Sequence, residues 1–149
     1  MVQLEIRKGP NSEVVVGGLR IVACRREVGS IDGGITVYVW NDSSDSPVEL
    51  VRMDLFRERP HYHAPAENQS ESVIEAGSEG ANRWCVEALT TRAAQLADEA
   101  GYSQIGAALD LEMLACAGPA IQSLFDELED LNEVSNFEVP VSVLEGLRH

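Results

Sequence analysis

The chain has 149 residues, 11 Lys or Arg against 25 Asp or Glu, a formal net charge of −14 and an apolar share of 44 %. That size and composition suit one domain, residues 1–149, with its own core, and exclude wholesale disorder. No apolar run approaches the roughly 18 residues of a membrane span.

The N-terminal "MVQLEIRKGP" lacks the apolar segment of a secretory signal. Cys24, Cys85 and Cys116 are odd in number and form no C-x-x-C. They read as small buried thiols in a cytoplasmic protein, not as a disulfide frame or a zinc knuckle.

The first sixty residues read as strands. In "EVVVGGLRIVACRREV" the pair Gly17-Gly18 separates two β-branched runs, as a two-residue hairpin turn does. "GSIDGG" is the next turn, followed by "ITVYVW", the polar loop "NDSSDSP" and "VELVRMDLF". Leu19, Ile21 and Ala23 share one parity, as do Ile35, Val37 and Val39, and Val51, Met53 and Leu55. That face is apolar throughout and should be the core side of an antiparallel meander. The opposite face carries Thr36, Tyr38, Trp40, Arg52, Asp54 and Phe56, so it is either half covered or a binding surface.

Residues 65–80 fit either a helix opened by Pro65 or a short strand around Val73 and Ile74. After Gly80 the spacing becomes helical. Asn82 would cap a first helix closed by Gly101; a second runs from Ile105 to near Gly118. Pro119 opens a third, with Ile121, Leu124, Phe125, Leu128 and Leu131 inward. "NFEVPVSVLEGLRH" reads as extended, and Pro140 suits an edge strand. The expected fold is α+β: an antiparallel β-meander of four to five strands, covered on one face by about three C-terminal helices, with a short C-terminal edge strand.

Charge is distributed unevenly. Residues 1–60 carry eight basic and nine acidic residues; residues 61–149 carry three and sixteen. Between Ala93 and Leu147 there is no Lys or Arg. Such a surface repels nucleic acid and anionic membrane alike. "LADEAGYSQIGAALDLEML" imitates a helix-turn-helix, but Ser103, Gln104 and Ile105 supply no cations for phosphates.

The densest chemistry lies in "RMDLFRERPHYHAP", residues 52–65, which holds two of the three histidines. On an extended segment His61 and His63 point the same way and could meet one divalent ion: zinc, iron or manganese. Asp54, Glu67 or Glu71 could add a carboxylate ligand. Arg52, Arg57 and Arg59, joined across the sheet by Arg25 and Arg26, could clamp an anion beside Tyr38 and Trp40. The plainer reading is a proline-bounded corner, with Arg52 paired to Asp54 and the histidines bonded to backbone carbonyls or to carboxylates. No nucleophile elbow or phosphate loop is present.

Charge and size point first to a non-catalytic interaction module, of the inhibitor or immunity kind, that binds a basic protein. The alternative is a metal-dependent hydrolase or small-anion-binding protein built on His61 and His63. Self-association through Tyr38, Trp40 and Phe56 suits both. From the electrostatics, micromolar protein should give no mobility shift with duplex DNA. A salt-sensitive shift lost on changing Gln104 would contradict that.

Overall fold

The structure is a computed structural model that describes residues 1–43 and 45–147, without the side chains of 77–79. Gly17 and Gly18 take φ of 61° and 91° and join β2 (Ser12–Val16) to β3 (Leu19–Val28). Positive φ at both turn residues matches the right-handed twist of the strands they connect. A Cβ at Gly17 would stand 2.6 Å from Leu114 Cγ, so the helical layer presses on this turn as well. Glycine is required there twice over.

The long β3 pairs with β2 through its first half and with β1 (Val2–Lys8) through its second. The meander continues through β4 (Asp32–Asn41), β5 (Glu49–Phe56), β6 (His61–His63) and β7 (Ser72–Val73). β8 (Glu133–Val139) pairs with β1 along its whole length and forms the C-terminal edge. The order is β7-β6-β5-β4-β3-β1-β8, with β2 also on β3, in one eight-stranded sheet. The meander exceeds the four to five strands expected because β6 and β7 are too short to show a period, while β8 is the expected C-terminal edge strand.

Parity placed the core correctly. Leu19, Ile21, Ala23, Ile35, Val37, Val39, Val51, Met53 and Leu55 are all buried on one face. α1 (Gly77–Thr91) and α2 (Ala93–Glu99) lie over β5, and α5 (Gly118–Asp126) lies against β2. α3 (Ser103–Ala107) and α4 (Leu111–Ala115) complete this layer.

Among the described residues the layer therefore has five helices, not three. The first expected helix breaks at Arg92, where the Thr90 and Thr91 hydroxyls bond back to Val86 and Glu87 carbonyls. Such back-bonding competes with the helical ladder. The second breaks at Asp110, whose carboxylate accepts from the Met113 amide and caps α4 afresh. Asn82 lies inside α1 and caps nothing. Pro140 does not continue an extended segment: it opens α6 (Val141–Leu147), as proline suits a first helical turn. Cys24 and Cys85 are buried, but Cys116, at the C-cap of α4, is exposed.

The second face of the sheet has its own small core of Leu4, Val28 and Phe56, over which Leu144 and Leu147 of α6 pack. None of the described helices is long and apolar enough to cross a membrane. Leu55 is 4 % exposed under the helices, whereas Val15 is 46 % exposed. Leu55→Ala should cost about 2–5 kcal/mol in urea unfolding, and Val15→Ala under about 1 kcal/mol. Equal small effects would show that the buried face has been misassigned.

Candidate functional site

Strand register builds the site. Across the second face Cys24 stands opposite Thr36, Thr36 opposite Asp54, and Asp54 opposite His61. The next row runs Tyr38, Arg52, His63. Residues directly opposite in an antiparallel sheet share a face and stand close enough to interact. Asp54, His61 and His63 therefore project together.

Asp54 does lie opposite the helical core, as parity requires, yet it is only 5 % exposed. Its Oδ1 accepts the Thr36 hydroxyl at 2.8 Å, and its Oδ2 lies 3.1 Å from His61 Nε2. Arg26 approaches to 3.7 Å. Burial opposes ionisation of Asp54, but the hydrogen bond and charge of His61, the Thr36 hydroxyl and Arg26 together hold its pKa below the ordinary range. Burial likewise opposes protonation of His61. Asp54, the Arg59 carbonyl and Glu71 outweigh it and raise the His61 pKa.

The other nitrogens fix the tautomers. His61 Nδ1 is 2.7 Å from the Arg59 carbonyl oxygen, and His63 Nδ1 is 2.7 Å from that of Asn68 and 3.2 Å from that of Ser70. A carbonyl only accepts, so each Nδ1 carries the proton and each neutral ring presents a bare Nε2. Asp54, His61 and His63 each offer a ligand atom, all within 4.8 Å of one another. Glu71 Oε1 lies 3.7 Å from His61 Nε2, while its other oxygen accepts from Arg59 at 2.8 Å.

The turn that delivers the histidines is pinned by Asp32. Its buried carboxylate accepts the amides of Gly33, Glu58 and Arg59, each at 2.9 Å. Beside the cluster is a cavity of about 290 Å³. Leu4, Ile6, Val28, Phe56 and Leu147 form its apolar wall, and Arg26, Arg52 and Arg59 its cationic side.

The expected residues separate into two groups. His61, His63, Asp54 and Glu71 converge, and Arg52 and Arg59 line the cavity with them. Glu67 is exposed and stands outside the cluster. Arg57 forms a bidentate pair with Glu27 at 2.8 Å, and Arg25 donates to the Leu128 carbonyl; neither lines the cavity. Arg52 pairs with Glu49 at 3.4 Å instead of Asp54, because its guanidinium lies over the Tyr38 ring, 5.1 Å from its centroid. Tyr38 thus supports the site from beneath, and Trp40 does not line it. Sequence reasoning put Thr36 on this face without giving it to the site, missed Asp32, and gave Arg26 only an auxiliary place. Register would have revealed Thr36, but nothing local marks Asp32 as more than a turn residue.

A family model described as "Domain of unknown function (DUF7700)" matches residues 5–124, and the chain belongs to that family. The matched span includes Arg26, Thr36, Arg52, Asp54, His61, His63 and Glu71, and β8 and α6 lie beyond it. No match to the chain was found among curated proteins or solved structures.

With divalent ions removed, the Asp54–His61 pair sets a pH dependence. Asp54 is depressed, so its contribution is present above 3.8 and lost as pH falls through the lower folded value. His61 is raised, so its contribution is complete below 6.5 and lost as pH rises through the higher folded value. The pair therefore stabilises most between those limits. In EDTA the urea midpoint should decline from pH 6 to pH 8, and His61→Gln should flatten that decline. Parallel curves for the two proteins would remove the pair from the account.

Proposed function

We propose that this family member is a metal-dependent domain that holds one divalent ion on Asp54, His61 and His63 and presents it to a small anionic molecule in the adjoining cavity. One observation carries the reading. His61 Nε2, with its ring proton committed to Nδ1, faces the Asp54 carboxylate at 3.1 Å. Two acceptors at that distance need a cation between them, either a proton or a metal. Ligand atoms about 2.0–2.1 Å from a tetrahedral ion stand roughly 3.3 Å apart, close to this spacing. Backbone carbonyls on the far nitrogens are the support that metal-bound imidazoles use.

Two histidines and one carboxylate suit zinc, iron or manganese and leave coordination positions for water and ligand. An ion there would lower the pKa of its bound water and supply hydroxide near neutral pH. Glu71, which pairs with Arg59 and approaches His61 to 3.7 Å, would accept a proton from such a water or serve as a fourth ligand. Hydrolysis is the reaction class this donor set fits best. The interaction reading keeps one local observation of its own: Leu111 and Met113 are 55 % and 54 % exposed on α4 beside Glu112. An apolar pair with an acidic neighbour suits a basic partner.

Elemental analysis of protein purified without chelator or affinity-tag nickel should find about one zinc, iron or manganese per chain. His63→Ala, which changes a half-buried residue, should lose that ion and keep its circular dichroism. Wild-type protein that stays metal-free after dialysis against all three ions would end the metal reading.

A further inference from the structure

We infer that the cavity's ligand is a small carboxylic acid with a short apolar body, its carboxylate shared between Arg52 and the ion and its body lying against Phe56, Val28 and Leu4. The inference rests on the metal reading for the second contact and goes beyond it in naming the ligand class and the residue that selects it.

Arg52 is the cation with unspent capacity. Its Nε is buried and has no hydrogen-bond partner among the described residues. Its only ion pair among them, with Glu49, is long at 3.4 Å and uses a terminal nitrogen. The other two cavity arginines are more committed. Arg59 holds Glu71 at 2.8 Å and the Gly146 carbonyl at 2.9 Å, and Arg26 faces Asp54. A carboxylate can take one N–H from each terminal nitrogen of a guanidinium together, a fit that a neutral group or a lysine cannot reproduce, and only one of the two in Arg52 is engaged, by Glu49. The Tyr38 ring beneath Arg52 supports the guanidinium in the cavity wall.

Order along the second face gives the ligand its shape. Arg52 and His63 form one row, Asp54 and His61 the next, and Arg26 and Phe56 the third, where Gly34 between them adds no side chain. Val28 and Ile6, opposite one another, follow. Moving along the strands, the wall therefore passes from the Arg52 guanidinium, past the ligand triad, to aliphatic and aromatic carbon. A molecule that satisfies all three is anionic at one end and apolar at the other. At about 290 Å³ the space sits at the small end of ligand cavities, which favours a compact acid over a nucleotide or a peptide. In a chain of net charge −14, this acid-attracting wall runs against the protein's overall field, so its specificity must come from contact.

The test is calorimetric titration of zinc-equilibrated protein with hexanoate, hexanamide and inorganic phosphate. Hexanoate should bind at least about tenfold more tightly than either of the others. Arg52→Gln should weaken hexanoate about tenfold to a hundredfold and leave zinc uptake unchanged, and Arg52→Lys should recover only part of the loss. Zinc uptake with hexanoate no tighter than hexanamide, or with Arg52→Gln indifferent, overturns the inference and leaves the metal reading standing. Phosphate binding as tightly as hexanoate overturns the apolar body and so the ligand class. Failure of the wild type to take up zinc, iron or manganese overturns the metal reading, and the shared carboxylate falls with it.

Discussion

A carboxylate enclosed in a sheet loses its charge unless the fold brings donors to it. Asp54 keeps its charge because neighbouring strands converge on it: β4 through Thr36, β3 through Arg26 and β6 through His61. Removing any one donor leaves the others facing a buried charge with less compensation, which is why such clusters are sensitive to single changes. The helices on the opposite face contribute nothing to this cluster directly. Their part is to fix which residues of β5 point away from them, since burying Val51, Met53 and Leu55 obliges Arg52 and Asp54 to take the other side.

That obligation also explains what could be read from the sequence. Period-two alternation in three strands gave the buried face and the antiparallel order. The spacing of His61 and His63 gave their common direction. The partners of Asp54 were harder to see. Thr36 and Arg26 join it only through register, which depends on loop lengths and on the bulge between Val39 and Trp40. Asp32 reads as an ordinary turn aspartate, yet it ties the β3–β4 turn to the segment before β6 through three amides. The helical half was legible as helix but not as five helices. Its breaks come from Thr90, Thr91 and Asp110 bonding to nearby backbone, a local competition that apolar periodicity does not register.

Charge segregation takes on a different sense once the strands are placed. The basic residues of the first sixty positions do not form a surface patch. Arg57 is spent on Glu27 and Arg20 on Glu13, while Arg26, Arg52 and Arg59 collect around one cavity. Helices α1 to α5, with most of the helical acidic residues, lie on the other side of the sheet, and only α6 packs on this one. An anion in the cavity would therefore stand farther from that negative surface than from the nearby cations, which would dominate at short range.

A structural corner and a binding site looked like alternatives when only the segment from Arg52 to Pro65 was known. The contacts of a corner are present, and they are compatible with a site. The backbone carbonyls of Arg59, Asn68 and Ser70 anchor the imidazoles as a corner would, and by taking the Nδ1 protons they leave both Nε2 atoms bare, that of His61 facing Asp54. The contacts that make the turn rigid are thus the contacts that would prepare its histidines as ligands. A proton between Asp54 and His61 and a divalent ion on the triad satisfy the same electrostatic need, and they exclude each other at His61 Nε2. Under the metal reading, rigidity and pre-organisation would here be one property.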